Sequence, residues 1–102
     1  MQPQLHRQSA EIAALCRRLH VARLDVFGSA VREDFDSDSS DLDFVVEFEQ
    51  LPPSDYADAY FSLKEGLEAM FGRPVDLVTP SSMANPYFRD SVTASRKNLY
   101  AA

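Results

Sequence analysis

Residues 27–48 read FGSAVREDFDSDSSDLDFVVEF, and how this stretch folds decides how the rest of the chain must fold. A Gly-Ser pair, Gly28-Ser29, is followed by Arg32, an acidic and Ser-rich run, and then Asp41-Leu42-Asp43 leading straight into apolar residues. A strand over 42–48 has a side-chain period of two, so Leu42, Phe44, Val46 and Phe48 share one face while Asp41, Asp43, Val45 and Glu47 share the other. The first face makes core, and the second presents two acids side by side. Same-face carboxylates about 7 Å apart along a strand repel unless a cation lies between them, which asks for a divalent metal with hard oxygen ligands.

Upstream, Ile12, Leu15, Cys16 and Leu19 fall at i, i+3, i+4 and i+7, one apolar stripe of a helix over 9–20, with Arg17 and Arg18 at its C-terminal end where cations suit the dipole. Cys16 on that stripe reads as core filler. Arg23 to Phe27 predicts a short strand stopped by Gly28, with a turn of helix starting at Ser29. The run from Glu33 to Ser40 has no apolar periodicity and reads as an exposed, mobile loop.

Downstream, Leu51-Pro52-Pro53 ends the strand, and Ser54 or Asp55 is placed to cap a helix with Tyr56, Tyr60, Leu63, Leu67, Met70 and Phe71 on its apolar side. Gly72 suits a left-handed C-terminal cap and Pro74 forbids continuation. Val75 to Thr79 predicts a third strand, with Asp76 inserted among apolar residues. Residues 83–100 read as partly helical, interrupted near Pro86. Their mixture of Tyr87, Phe88, Arg89, Arg96, Lys97 and Tyr100 suits a helix packed on the domain with its charges in water, or else a partner contact or a roof over a ligand. Strands alternating with helices predict an α/β (α+β) fold, a small mixed sheet of three to four strands flanked by helices, with the helices on one face.

The 102 residues have room for one domain, and a composition of 45% hydrophobic, 11% aromatic and 25% charged residues is that of a folded globular protein. The formal net charge of −6 argues against duplex nucleic acid as the main ligand, because such binding is dominated by Lys and Arg on phosphates. With Cys16 the sole cysteine, no internal disulfide forms, and a reducing cytoplasm is the expected setting. No charged-then-apolar leader opens the sequence, and no apolar run is long enough to span a bilayer, so no membrane association is expected.

Asp76 has the same phase in its strand as Asp43 has in its own. If those strands are neighbours, Asp41, Asp43 and Asp76 converge on one open face and suit a two-metal site, in which Mg²⁺ ions roughly 3.5–4 Å apart steady the attacking and leaving oxygens of a displacement at phosphorus. Gly28-Ser29, where a strand ends, offers backbone N–H groups and a hydroxyl to a phosphate, and Arg32 is a further phosphate contact or a partner of the acidic loop.

This combination resembles the DNA polymerase β-type nucleotidyltransferase superfamily: Gly28-Ser29, then Ser40-Asp41-Leu42-Asp43 at the head of an apolar strand, then a lone Asp76 in another. At this size the chain is most similar to the minimal nucleotidyltransferases, the MNT or MntA-like antitoxins that accompany HEPN-domain toxins. The resemblance implies MgATP as donor and nucleotidyl transfer with release of pyrophosphate. It assigns Gly28 and Ser29 to the triphosphate, Asp41 and Asp43 to the metals, and Asp76 to completing the triad and activating the acceptor hydroxyl. It further implies a Tyr of a HEPN toxin as acceptor, hence a hetero-oligomer in which the toxin's ribonuclease activity is silenced. One departure is Glu33, where many relatives have Gly after the Arg, which bears on the phosphate loop rather than on the acids.

Rival readings are weaker. Asp34, Asp36 and Asp38 follow the first spacings of an EF-hand, but Ser39 stands where Gly is needed and Val45 where the bidentate Glu belongs. No GxxxxGKS or GxxxxGKT is present, which excludes a P-loop. His6 and His20 read as surface residues. Transfer to a small molecule such as an aminoglycoside fits the chemistry but leaves no acceptor-binding domain. The competing class is a binding module with the same fold that neutralises its partner by covering it, transferring little.

Overall fold

In the computed structural model, which describes residues 3–28, 41–82 and 85–102, the described residues form a four-stranded sheet in the order β3-β2-β1-β4. The chain enters through two helices, α1 (Pro3–Arg7) and α2 (Ser9–Arg18). His20, at φ 61, turns it into β1 (Val21–Phe27). Next comes β2 (Leu42–Phe48), antiparallel to β1. A crossover through α3 (Pro53–Phe71) returns it to β3 (Val75–Val78), parallel to β2, as parallel strands require. After a 3-10 turn at Pro80–Ser82, α4 (Pro86–Ser95) leads into β4 (Lys97–Ala101), antiparallel to β1 on its other side.

The expected alternation in β2 builds the main core. Leu42, Phe44 and Val46 join Leu24, Val26, Val75 and Leu77 against Leu5, Ile12, Leu15, Cys16, Leu63, Leu67 and Phe71 of α1–α3. Phe44 and Phe71 stack with ring centroids 6.3 Å apart. Cys16 is fully buried in this layer, and burial pushes its thiol up to about 12, with the neighbouring Arg17 charge opposing, so it is filler and not nucleophile. Tyr56 departs from the apolar stripe predicted for α3: it is exposed and meets Phe48 edge-on. The helix begins at Pro53, with no side-chain cap from Ser54 or Asp55, and ends at Gly72 in the left-handed conformation, φ 67.

Two sequence expectations are corrected here. The helices do not all lie on one face, because α4 covers part of the other, where Phe27, Val45 and Val92 form a second cluster joined by Val78 and Phe88. The predicted helical segment over 83–100 is a helix followed by a strand. Pro86 does not interrupt the helix but begins it, with the Asn85 side chain accepting the Tyr87 N–H at 2.9 Å. Beyond Ser95 the chain extends along β1 as β4. The acidic loop and the helical turn expected after Ser29 lie outside the described residues.

Candidate active site

The site is built where β1 ends and β2 and β3 begin. Asp43 faces Phe27 across the antiparallel pair and Asp76 across the parallel pair, so Phe27, Asp43 and Asp76 form one row across three strands. The row behind it is Asp25, Val45 and Val78. Neighbouring strands lie about 4.8 Å apart, and like charges placed opposite each other there destabilise the sheet, so a pair of acids in register calls for a cation. Asp43 is half-buried and Asp76 exposed. Asp41, also exposed, stands immediately ahead of β2 rather than within it.

Two hydrogen bonds set this register. The Leu42 N–H donates to the Pro74 carbonyl at 3.2 Å, joining the starts of β2 and β3. The Glu68 carboxylate, from the last turns of α3, accepts the Val75 N–H at 3.0 Å, which fixes the residue before Asp76. Behind β3, the Tyr60 phenol donates to the Leu77 carbonyl. Burial, the nearby Asp76 charge and then Tyr56 raise the Tyr60 ionisation, so the phenol stays protonated.

Gly28 follows β1 with φ 74. A Cβ there would come within 2.6 Å of Asp43 Oδ2, so both the backbone conformation and the approach of the acid require glycine. Its N–H is not directed at open space, because it donates to Ser95 Oγ at 3.0 Å. Ser29 and Arg32, the remaining residues of the expected phosphate grip, lie outside the described residues. Among the described residues no three His, Cys, Asp or Glu side chains gather closely enough to hold a metal; the strand register sets Asp43 opposite Asp76, and Asp41 lies one residue ahead of that register.

Sequence reasoning missed Asp25. It lies on the same sheet face as Asp43, fully buried, and is the one buried charged residue among the described residues. Its carboxylate accepts Arg23 Nε at 3.2 Å and Asn98 Nδ2 at 2.9 Å, and it is ion-paired with Arg96. Arg96 also lies 3.8 Å from Glu47. Burial alone would push the Asp25 carboxyl up, but hydrogen bonds from Arg96, Asn98 and Arg23, with the Arg96 charge, hold it below the usual carboxylate range. The available signal was its phase: Asp25 alternates with Leu24 and Val26, which puts it on the face of Phe27. Two of its partners, Arg96 and Asn98, come from the segment read as helical. A hollow of about 230 Å³ lined by Arg18, His20, Asp55 and Asp58 lies at the opposite end of the strands and shares no residue with the acid row.

A mixed sheet with paired acids beside a glycine turn defines a class, and the comparisons give it a family. The family model for the Nucleotidyltransferase domain matches residues 10–99, and the chain belongs to that family. A candidate protein adenylyltransferase of Methanocaldococcus jannaschii is 36% identical over 72 residues, covering 71% of this chain and 70% of its own. The protein adenylyltransferase MntA of Thermococcus cleftensis is 42% identical over 69 residues, covering 68% of this chain and 66% of its own. Among solved structures, a candidate minimal nucleotidyltransferase superposes with a TM-score of 0.67 at 31% identity, covering 95% of each chain. The complex of a tri-AMPylated Shewanella oneidensis HEPN toxin with its MNT antitoxin shares the fold, with a TM-score of 0.63 at 21% identity over 96% of this chain and 73% of that one. A toxin–antitoxin complex with AMP-PNP does so with a TM-score of 0.64 at 22% identity over 92% and 73%. No helix among the described residues is long and apolar enough to cross a membrane.

Proposed function

We propose that this chain transfers AMP from ATP to a hydroxyl of a partner protein, a tyrosine of a HEPN-type toxin, and silences the toxin by doing so. The observation that carries the reading is the row of Asp43 and Asp76 in register beside Gly28. Two relatives named for protein adenylyl transfer support the reaction class. Neighbours of the same fold seen with a HEPN toxin, and with AMP-PNP, support the partner and the donor nucleotide. Such a protein works in the cytoplasm as part of a hetero-oligomer with its toxin.

The donor set fits Mg²⁺: the acids offer only hard carboxylate oxygens, and Mg²⁺ takes one or two of these from a protein and fills its remaining positions with water and phosphate. Asp41, Asp43 and Asp76 would hold the two ions, which supply the positive charge that a triphosphate needs beside carboxylates. Ser29 and Arg32 hold the triphosphate, and Gly28, having no side chain, lets it come close to the backbone. Asp76 takes the proton of the acceptor hydroxyl while the hydroxyl oxygen bonds to the α-phosphorus. The bond from that phosphorus to the bridging oxygen breaks, and pyrophosphate leaves. A base in this position is worth about 10²–10⁴-fold in rate.

Incubation with α-labelled ATP, Mg²⁺ and the product of the neighbouring gene tests the reading. Wild type labels the neighbour, chelation of the metal abolishes the label, and Asp76→Asn lowers its rate of formation about a hundredfold or more. A wild type that labels nothing yet still blocks the neighbour's activity replaces transfer with neutralisation by binding.

A further inference from the structure

Ser95, the last residue of α4, belongs to no part of the acid row, yet its side chain reaches the glycine beside it. The hydroxyl has one proton, which it donates to the Ser91 carbonyl one turn back at 3.4 Å, leaving a lone pair to accept the Gly28 N–H at 3.0 Å. Arg96, the next residue, has extended backbone at φ −67 and ψ 129 and sets its guanidinium on buried Asp25. Within α4, Phe88 meets Phe27 edge-on with centroids 6.1 Å apart. Three positions at the end of β1, Asp25, Phe27 and Gly28, are therefore each held by α4 or by the residue that follows it.

Gly28 needs such a hold. Glycine populates positive and negative φ about equally, so its own preferences do not select the φ of 74 that lets Asp43 lie against it. We propose that Ser95 is a positioning residue for the phosphate turn: its hydroxyl, steadied by Arg96 on Asp25, fixes the Gly28 peptide in the orientation that receives the nucleotide. The inference rests on the nucleotidyl-transfer reading above. It also reassigns the Gly28 N–H, which the sequence offered to a phosphate, to holding the turn.

Ser95→Ala and Ser95→Thr test it, since Thr keeps the hydroxyl and Ala removes it. In nucleotide-free protein, Gly28 amide exchange followed by NMR is expected to quicken about fivefold in Ser95→Ala, the population change that one net hydrogen bond sustains, and to return to the wild-type rate in Ser95→Thr. In the labelling reaction, the KM for ATP rises by about the same factor while kcat holds, and AMP-PNP binding weakens in parallel. A merely structural role would lower the melting temperature without separating KM from kcat. Unchanged Gly28 exchange and AMP-PNP affinity in Ser95→Ala overturn the proposal. So does tighter AMP-PNP binding, which would make Ser95 a competitor of the phosphate. Wild type that binds no AMP-PNP strikes the underlying reading instead, whereas wild type and Ser95→Ala binding it equally strike this inference alone.

Discussion

At the scale of single residues, two glycines with nearly the same backbone separate strain from contact. Gly28 and Gly72 have φ 74 and φ 67, but a Cβ at Gly72 meets nothing within 4 Å, whereas at Gly28 it would strike Asp43 Oδ2. Alanine at either position bears the left-handed penalty of about 1–2 kcal/mol. Only at Gly28 must the carboxylate also move. Gly72→Ala is therefore expected to lower the denaturation midpoint and leave transfer intact, and Gly28→Ala to lower both. The comparison is made by urea titration alongside labelling at a temperature where both variants stay folded. Equal transfer rates in the two would show that Asp43 does not need its present position. The glycine was legible in the sequence as a strand terminator beside a serine. Its contact with an acid fifteen positions later was not, because that contact exists only once β1 and β2 pair.

Among the elements, the strands that carry the acids were legible and the one that supports them was not. β2 and β3 announce themselves by apolar alternation with acids in the opposite phase, and their adjacency turns two separate patterns into one row. β4, KNLYA, has exposed Lys97 and Asn98 and half-buried Leu99 and Tyr100, too weak an alternation to read locally; it extends because β1 offers it a partner. At the head of β3 the control is shorter in range, from Glu68 seven residues back in α3. Glu68→Ala removes the acceptor of the Val75 N–H and is expected to cost about 1 kcal/mol and to slow transfer by loosening Asp76, while Glu68→Gln, which keeps an oxygen there, restores much of both. Hydrogen exchange at Val75 read beside labelling checks this. Slower transfer with unchanged Val75 exchange would separate Glu68 from the register of β3.

Over the whole molecule, the C-terminal strand is joined to β1 through a charge taken out of water, and the acid side of the pH scale should reveal it. Asp25 is fully buried, and Arg96 and Asn98, which hold it, both belong to the last eight residues. Breaking such a pair from one side leaves its partner poorly compensated, so Arg96→Met is expected to cost about 2–3 kcal/mol, with Arg23 and Asn98 limiting the loss. Replacing both ends, as in Asp25→Leu with Arg96→Met, should recover a good part of it, since apolar groups of similar volume carry no desolvation cost. The sign of the pH effect follows from the lowered Asp25 carboxyl. Above its unfolded value of about 3.9 the residue is ionised in both states and its contribution to stability is complete. As pH falls from there towards the lower folded value, the unfolded chain takes up a proton that the folded chain refuses, and the contribution drains away. Asp25→Asn cannot titrate, so the stability gap between it and wild type is expected to be widest near pH 7 and to narrow below about pH 4. Urea midpoints measured across that range give the gap directly. A gap that stays constant with pH would mean that Asp25 acts through its shape and hydrogen bonds alone, and that the C-terminal strand is held to β1 without help from charge.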